Sequence, residues 1–339
     1  GSGSGGLVDR VGVAGLHHPG HCRGHRLEWL LLAGLVRWLQ QGDLRQAYQR
    51  AHRLTPLLRR LLRSEWAWAN SNLQWVYGAG LDPSARRRLA AMAVENMIRS
   101  HLDGLRPDPY QIEGQGEADS GIQSGLQLGR GLIICGVHLG SWEIGLKWAA
   151  SLGHPVHVIY RHANNPLSEQ LFMAARAHYG VHWIRRDEPL KIVRALQKKE
   201  ILVLMTDINQ RRDGLAAPFL GIPALCPAGP ARFALRWQVP LLPIVCLRAA
   251  GVGHFRLLTA PLLVPQADET DIALTTRINQ SFEPWIEAHA EQYNWLHARW
   301  RSRPDGTLWR ADTPPEQLAQ ARCAPPLTPA ARLLQLLHS

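Results

Sequence analysis

The stretch that decides the fold of this chain is Gly129-Arg-Gly-Leu-Ile-Ile-Cys-Gly-Val-His138-Leu-Gly-Ser-Trp-Glu143. Within it, Gly131-Leu-Ile-Ile-Cys-Gly136 is a short apolar run that ends in glycine, which predicts a buried strand. The residues from Glu143 to Ser151 then predict a helix. A buried strand that leads through a short loop into a helix is the first half of a βαβ unit. The sequence around position 138 therefore indicates an α/β fold.

Strands and helices continue to alternate beyond this stretch. Further strands are predicted at His154–Tyr160, His182–Ile184, Ile201–Met205, Leu241–Arg248 and Phe255–Leu258. Helices are predicted at Pro166–Tyr179, Pro189–Lys198, Gly229–Gln238 and Asp271–His289. Because strands that alternate with helices of roughly 10–15 residues form parallel pairs through crossover connections, we expect a mostly parallel central sheet flanked by helices.

The residues before this core predict only helices. They form four helical segments, at Leu27–Gln40, Asp43–Leu62, Glu65–Tyr77 and Pro83–Leu102. The apolar run Leu27–Leu39 is interrupted by two charged residues, and it is shorter than the about 20 apolar residues that a membrane span needs. We therefore expect an N-terminal helix that lies in the membrane interface, with Trp29 and Trp38 as its anchors.

Changes in composition divide the chain into five parts. Residues 1–26, with a Gly-Ser start and scattered Gly, His and Pro, are expected to be a disordered linker. Residues 27–105 form the helical membrane-associating region, and residues 106–128, rich in Gly, Pro, Gln and Glu, are expected to form a loop. Residues 129–305 form the α/β core, and the Pro- and Ala-rich residues 306–339 form a C-terminal tail.

The formal net charge of +11 indicates an anionic partner. Nucleic acid and the cytoplasmic leaflet of a membrane both attract clustered cations. In Arg53-Leu-Thr-Pro-Leu-Leu-Arg-Arg-Leu-Leu-Arg63 the arginines lie beside leucines, a pattern that favours a membrane surface over nucleic acid. The five cysteines are scattered without a CxxC pair, and the histidines lack metal-ligand spacing. The sequence therefore predicts neither a disulfide framework nor a metal site.

His138 and Glu143 are the candidate reactive residues. In open α/β sheets, ligands bind at the loops after the carboxyl ends of the strands, and His138 lies in such a loop. A carboxylate that folds back on an imidazole fixes its tautomer and stabilises its charged form. The two side chains thus have the parts of a general base and of the group that orients it. From the residues alone a second interpretation stays open, in which His138 only ends a strand and Glu143 only begins a helix.

The stretch around His138 resembles the motif of the lysophospholipid acyltransferase superfamily, in which four residues separate a histidine from an acidic residue. More narrowly, it is similar to the lipid A biosynthesis (lauroyl/myristoyl) acyltransferase branch, which typically has His-Phe-Gly-Asn-Trp-Glu here. Leu139 and Ser141 replace the Phe and the Asn, and Ile208 stands where a Gln usually follows Asp207. Further blocks of the branch follow in order between residues 70 and 305, namely Tyr160-Arg161 with Asn165-Pro166, Arg176 with Gly180, Asp207, Phe219–Pro223, Pro227–Gly229, Val239–Pro243 and Tyr293–Trp300.

The resemblance implies an O-acyltransferase. Such an enzyme would move a fatty acyl group from an acyl-carrier-protein thioester, or from coenzyme A, to a hydroxyl of a lipid A-like glycolipid. The resemblance also implies a place at the cytoplasmic face of the bacterial inner membrane, either peripheral or anchored. The expected partners are the acyl donor, an anionic lipid acceptor and the membrane surface, but not nucleic acid. No cofactor and no metal is expected.

Roles for individual residues follow from the same resemblance. His138 and Glu143 are implied as catalytic, with His138 taking a proton from the acceptor hydroxyl and Glu143 supporting the charged imidazole. The residues implied in substrate binding are Arg161, Asn165, Arg176, Asp207, Pro227 and Gly229. The arginines suit a phosphate group, and Asp207 would orient an arginine or a loop. Backbone N–H groups near Gly229, or an arginine, would stabilise the oxyanion. Trp295, His297 and Arg299 of the closing segment are expected to serve the fold, with a place at the rim of the active site as the alternative.

Three other functions stay open on the sequence. A relative with the same chemistry would act on another glycolipid, a lipopeptide or a polyene lipid. A thioester hydrolase would use the same His and Glu with water, although the chain has no Ser or Cys nucleophile motif. A basic module without activity would only bind a membrane or nucleic acid, but it would have no reason to keep both His138 and Glu143.

Overall fold

A seven-stranded sheet forms the centre of the fold in the computed structural model, which describes residues 23–163 and 165–338. The strands are β1 (Gln111–Glu113), β2 (Leu132–Gly136), β3 (Val156–Tyr160), β4 (His182–Arg185), β5 (Ile201–Met205), β6 (Leu215–Phe219), β7 (Ile222–Cys226), β8 (Leu241–Arg248) and β9 (His254–Thr259). The order across the sheet is β1-β9-β8-β2-β5-β3-β4, and β6 and β7 form a separate antiparallel hairpin. Within the large sheet β8 and β9 pair antiparallel, and the other neighbours pair in parallel. The predicted mostly parallel α/β sheet is confirmed.

Helices flank the sheet and make up the N-terminal region. They are α1 (Arg23–Gln40), α2 (Leu44–Leu61), α3 (Arg63–Tyr77), α4 (Pro83–Leu105), α5 (Gln115–Gln127), α6 (Trp142–Ala150), α7 (Pro166–Arg176), α8 (Pro189–Gln197), α9 (Gly229–Trp237), α10 (Asp271–Ala288), α11 (Pro315–Ala321) and α12 (Ala331–His338). Every helix predicted from the sequence is present, with its ends shifted by a few residues. The start of α4 shows how the sequence specifies a helix end. Asp82 accepts hydrogen bonds from the first free backbone N–H groups, and Pro83 follows where no N–H is needed.

The central strand β2 is buried on both faces. Ile133 and Cys135 belong to the large apolar cluster that α3, α4, α9 and α10 cover. Leu132 and Ile134 belong to a second cluster, on the opposite face, that α5 and α6 cover. Because successive side chains of a strand point to opposite faces, a strand covered on both sides needs an apolar residue at every position. This requirement accounts for the uninterrupted apolar run from which strand β2 was predicted.

Residues 106–128 are not the loop that we predicted. They contain β1, which pairs in parallel with β9, and α5, which packs on the sheet through Ala118 and Ile122. Two of the glycines that suggested a loop, Gly121 and Gly125, allow α5 to pack closely on the side chains of Leu242 and Leu132 instead. A Cβ on Gly125 would lie 2.6 Å from the side chain of Leu132. A helix that places glycines against its sheet shows little apolar periodicity. For this reason the composition of residues 106–128 suggested a loop where a helix forms.

The two ends of the chain also differ from the predictions. Residues 306–339, expected to be a tail, contain α11 and α12, and α12 buries Leu333 and Leu337 in the large apolar cluster. These leucines are four residues apart, the spacing that puts two side chains on one helix face. Of the predicted linker, residues 1–22 lie outside the described residues, and residues 23–26 belong to α1.

One side of α1 packs on α7, and the other side is exposed. Trp29 and Val36 are buried against Leu167 and Leu171 of α7. Trp29 is therefore not the interfacial anchor that we predicted, whereas Trp38 is 40% exposed. Among the described residues, no helix combines the length and the hydropathy that a membrane crossing requires.

The loop between β2 and α6 is fastened to its neighbours at Gly140, whose φ is 70°. The Gly140 carbonyl accepts hydrogen bonds from Asn96 Nδ2 at 3.0 Å and from Ser100 Oγ at 2.5 Å. The next backbone N–H, of Ser141, donates to the carbonyl of Cys246 at 2.7 Å. A Cβ on Gly140 would lie 2.1 Å from that carbonyl oxygen. Helix α4 and strand β8 thus hold a loop that only glycine fits.

We predict that Gly140→Ala destabilises the protein much more than Gly153→Ala. Both glycines have a positive φ, but a Cβ on Gly153 would meet nothing within 4 Å. Gly153→Ala should cost about 1–2 kcal/mol for the left-handed conformation alone. Gly140→Ala adds an overlap with backbone atoms and should cost roughly 1–3 kcal/mol more. Urea unfolding measures both free energies, and equal losses would contradict this packing of the loop.

Candidate active site

A cavity of about 500 Å³ lies at the carboxyl ends of β2, β3 and β5. Between the sheet and α6 it is lined by apolar side chains, among them Ile134, Val203 and Trp148. Its polar lining residues are His138, Arg161, Arg176, Arg186, Asn209, Gln210 and His297. Because Arg161 and Arg186 are exposed, this polar end is the mouth. An apolar interior with a few convergent polar groups is the usual character of a ligand site.

His138 is held at the cavity by Asp207. The register of β2 with β5 sets Gly136, the last residue of β2, beside Met205, the last residue of β5. His138 and Asp207, two positions after these strand ends, therefore lie next to each other. Nδ1 of His138 lies 2.8 Å from Oδ1 of Asp207, and the His138 backbone N–H donates to Oδ2 at 2.8 Å. Because an ionised carboxylate only accepts hydrogen bonds, Nδ1 carries the proton and Nε2 is the basic nitrogen.

Each member of this pair shifts the pKa of the other. Burial lowers the pKa of His138, but the charge of Asp207 and its hydrogen bond outweigh burial, and the pKa lies above its usual value. Burial raises the pKa of Asp207, but the imidazole and its hydrogen bonds outweigh burial there, and that pKa lies below its usual value. A buried, ionised Asp207 therefore faces a more basic imidazole, which is the arrangement of a general base and its orienting group.

Glu143 is not the partner of His138 that we predicted. Its carboxylate, 1% exposed, accepts from Arg176 Nε at 3.3 Å, pairs with Arg176 Nη2, and accepts from the Tyr179 hydroxyl at 2.8 Å. Burial raises the pKa of Glu143, but the guanidinium outweighs burial and the pKa lies below its usual value. The ring of Trp142 packs edge-on to the His138 imidazole, with centroids 5.1 Å apart. The carboxylate that orients His138 thus comes from the end of β5 and not from its own loop.

Three residues that we predicted to bind substrate are engaged within the protein. Asp207 holds His138 and does not line the cavity. Arg176 lines the cavity, but its guanidinium is paired with Glu143. Asn165 is buried, and its side chain caps α7 by accepting from the N–H group two residues later at 3.0 Å. Asn165 is therefore placed to start a helix, and the Asn-Pro pair at this point is a helix N-terminus.

The remaining predicted binding residues, Arg161, Pro227 and Gly229, line the cavity. Pro227 and Gly229 lie on the segment that leads into α9, and Arg161 follows β3 directly. Arg186, which was not predicted, lines the mouth next to β4. In the part of the chain that the structure describes, no group of His, Cys, Asp and Glu side chains could hold a metal ion.

Two further residues at the site were not assigned to it from the sequence. His297 lines the cavity, and its Nε2 accepts from the Asn209 backbone N–H at 2.8 Å. Tyr179 donates to the same carboxylate as Arg176. A local signal existed for Tyr179, because side chains three residues apart at the end of a helix are neighbours. For His297 the signal was its place in the closing block Tyr293–Trp300 of the resemblance, but only the tertiary fold shows that it lies at this cavity.

The chain is similar in sequence to bacterial acyltransferases. Residues 21–302 match the family described as bacterial lipid A biosynthesis acyltransferase. A lipid A biosynthesis acyltransferase of Haemophilus influenzae is 29% identical over 180 residues, which are 52% of this chain and 57% of that protein. The lipid A biosynthesis palmitoleoyltransferase of Escherichia coli is 29% identical over 180 residues, which are 52% of this chain and 58% of that protein.

A weaker similarity links the chain to a phosphatidylinositol mannoside acyltransferase of Mycobacterium tuberculosis, which is 22% identical over 187 residues, or 53% of this chain and 57% of that protein. The chain thus spans somewhat more than half the length of the curated relatives it matches. The family match is wider, because residues 21–302 include the whole sheet and the cavity with His138 and Asp207. The chain therefore belongs to the bacterial lipid A biosynthesis acyltransferase family.

Proposed function

We propose that the protein is an O-acyltransferase that moves a fatty acyl group from a thioester to a lipid hydroxyl. One observation carries this proposal: His138, oriented by Asp207, stands at the polar end of a largely apolar cavity. A base at the end of an apolar cavity suits a reaction between a hydroxyl group and a long-chain acyl group. Membership of the family supports the same activity.

In the proposed reaction, Nε2 of His138 takes the proton of the acceptor hydroxyl while the hydroxyl oxygen attacks the thioester carbonyl carbon. The carbonyl π electrons move to the carbonyl oxygen, which gives a tetrahedral intermediate. When this intermediate collapses, the C–S bond breaks and the proton passes from His138 to the leaving sulfur, so that an ester and a thiol form. Asp207 stabilises the imidazolium that exists between these two steps.

The apolar part of the cavity suits the acyl chain. Side chains from four neighbouring strands and from α6 line it, namely Ile134, Val158, Val203, Ile244, Leu146 and Trp148. A hydrocarbon chain that leaves water for such a surface gains roughly 0.8 kcal/mol for each buried CH₂. The chain would enter with its carbonyl group at His138, where the polar lining begins.

We propose that Glu143 is a positioning residue that acts through Arg176. Its carboxylate holds a guanidinium that lines the cavity, and Tyr179 completes the group. Removing the Arg176 charge would leave the Glu143 carboxylate buried without its partner, at a cost of roughly 3–5 kcal/mol. Arg161 and Arg186, exposed at the mouth, suit the phosphate of an anionic lipid, because guanidinium pairs with phosphate oxygens.

For the substrates we propose an acyl-carrier-protein or coenzyme A thioester as donor and a lipid A-like glycolipid as acceptor. Relatives named as lipid A palmitoleoyltransferase and lauroyltransferase support this acceptor. The similarity to a phosphatidylinositol mannoside acyltransferase supports a second candidate, in which the acceptor is another glycolipid. Mass spectrometry of membrane lipids from cells with and without the protein distinguishes the two, because the acylated product differs in mass and headgroup.

We further propose that the protein works at the cytoplasmic face of the inner membrane and that α1 contacts the lipid. Leu27, Leu30 and Leu31 of α1 are 60%, 54% and 66% exposed, and Trp38 lies on the same side. The opposite side of α1 packs on α7, which carries Arg176 at the cavity. An exposed apolar helix face on a basic protein suits an anionic membrane interface, and here it lies on the helix pair that borders the cavity.

We predict that His138→Asn abolishes acyl transfer without unfolding the protein. The Asn amide can still donate to Asp207, but it cannot take a proton at neutral pH. The rate of acyl transfer from radiolabelled lauroyl-acyl-carrier protein to a lipid A precursor should fall by about 10²–10⁴-fold or more. His182→Asn is the matched control, because His182 is exposed on β4 and does not line the cavity. Full activity of His138→Asn would overturn the proposed base.

We predict that Asp207→Asn lowers the pH at which activity appears. In the wild type, Asp207 holds the His138 pKa above its usual value, so the neutral base forms only as the pH rises through that raised pKa. Without the carboxylate the His138 pKa falls, and the acidic limb of kcat/KM against pH should move to lower pH. The rate itself should fall by up to about 10⁴-fold, because the tautomer is no longer fixed. Asp271→Asn, which removes a carboxylate paired with Arg232, should leave the limb in place. An unmoved limb in Asp207→Asn would exclude the pairing.

We predict that Leu27→Gln combined with Leu31→Gln weakens binding to vesicles that contain anionic phosphatidylglycerol. Both side chains are exposed, so the fold should survive the substitutions. The loss of two leucines from the lipid contact should lower the affinity for vesicles at least tenfold, which corresponds to about 1.4 kcal/mol. Leu190→Gln on α8 is the control, since Leu190 is 72% exposed outside α1. Sedimentation with vesicles measures the three proteins. Equal binding would show that α1 does not face the lipid.

A further inference from the structure

His297 lies at the cavity on a segment that runs beside the His138 loop. The backbone N–H of Asn294 donates to the His138 carbonyl at 2.9 Å, and Tyr293 forms an antiparallel bridge with Leu139. The His297 carbonyl accepts from Asn72 Nδ2 at 2.8 Å. This segment and the loop that carries His138 are therefore fixed to one another, and both present a histidine to the same cavity.

The hydrogen bonds of His297 determine where its ring proton lies. Nε2 accepts from the backbone N–H of Asn209 at 2.8 Å, so a neutral ring carries its proton on Nδ1. Among the described residues, Nδ1 has no hydrogen-bond partner, and this atom is not among the buried polar atoms that lack one, so it keeps some accessible surface. The ring thus offers one N–H donor to a ligand.

The pKa of His297 is shifted in the opposite direction to the pKa of His138. Burial lowers the pKa of His297 to about 4, and the nearby charge of Asp207 only partly offsets this. The ring is therefore neutral near pH 7 and does not compete with His138 for the proton of the acceptor hydroxyl. Two titratable groups whose pKa values are pushed apart in one site commonly have different tasks in catalysis.

We propose that His297 is a catalytic residue whose Nδ1–H group donates a hydrogen bond to the oxyanion of the tetrahedral intermediate. The inference rests on the proposed acyl transfer. When the hydroxyl oxygen bonds to the thioester carbon, its proton goes to His138 Nε2 and the carbonyl electron pair becomes the oxyanion at His297. When the C–S bond breaks, that electron pair restores the carbonyl, the sulfur takes the proton from His138, and His297 keeps its own proton throughout.

Other donors at the site are less suited to this task. The guanidinium of Arg176 binds the Glu143 carboxylate through Nε and Nη2, which fixes its orientation on that carboxylate and offsets its charge. A fixed, neutral N–H group aimed at developing charge needs no rearrangement during the reaction, which is what makes such donors effective. A second donor from the backbone near Gly229, which also lines the cavity, is compatible with this role.

The test compares His297→Gln with His297→Met. The two side chains have similar length, and both reach toward Asn209, but only Gln carries an N–H donor. With lauroyl-acyl-carrier protein and a lipid A precursor, we expect His297→Met to lose about 10²–10³-fold in kcat, the usual effect of removing one oxyanion donor. We expect KM and the acidic limb of the pH profile to stay near the wild-type values, and His297→Gln to retain at least tenfold more activity than His297→Met. His182→Gln serves as the control for a histidine outside the cavity.

A second readout tests the contact itself. A lauroyl donor analogue with CH₂ in place of the thioester sulfur, labelled with ¹³C at the carbonyl, binds without reacting. Its infrared carbonyl band should lie at higher frequency in His297→Met than in the wild type, because a hydrogen bond to the oxygen is lost. An unchanged band, or a kcat for His297→Met within threefold of the wild type, would overturn the role of His297 while the proposed function stands. A wild-type protein that transfers no acyl group would overturn the proposed function, and this inference with it.

Discussion

The pairing of β2 with β5 is the constraint on which the site depends. Their parallel register sets Gly136 beside Met205, and two residues beyond these positions His138 and Asp207 meet in two hydrogen bonds of 2.8 Å. A slip of one residue in a strand would turn every side chain to the other face. It would also separate the imidazole from its carboxylate. Close packing of β2 between two apolar clusters opposes such a slip, because side chains of different size and shape would have to exchange places. The packing of the sheet therefore holds the reactive pair in place.

The loop between β2 and α6 and the first turn of α6 carry two acid–base groups with different partners. His138 turns to Asp207, while Glu143 turns to Arg176 and Tyr179. The ring of Trp142 packs edge-on against both His138 and His101, with ring centroids 5.1 and 5.5 Å apart. A single motif in the chain therefore supplies one member to each of two hydrogen-bonded groups, and each group contains a buried carboxylate. Each carboxylate has hydrogen-bond partners because a buried charge without a partner is costly.

Two histidines face one cavity with pKa values shifted in opposite directions. The difference has a plain electrostatic origin: Asp207 hydrogen-bonds to His138, whereas His297 accepts from a neutral backbone N–H and is close to Asp207 only through space. The paired imidazole is suited to accept a proton and the unpaired one to donate a hydrogen bond. The apolar interior strengthens both effects, because charges interact more strongly where water is excluded.

Sequence patterns by themselves determined the α/β class, almost every strand of the sheet and the position of His138, because strand burial and helix capping are local in the chain. They failed for α5, where glycine instead of an apolar side chain packs on Leu132 and Leu242, so that the helix shows little apolar periodicity. Sequence patterns also led to the wrong prediction that Glu143 orients His138, because the two residues are close together in the sequence. Only the tertiary structure decided that Asp207 orients His138 and that His297 shares the cavity. The register of β2 with β5 brings Asp207 to the site, and the chain returns to the His138 loop much later in the sequence to bring His297. Contacts between residues so far apart in the sequence leave no local pattern.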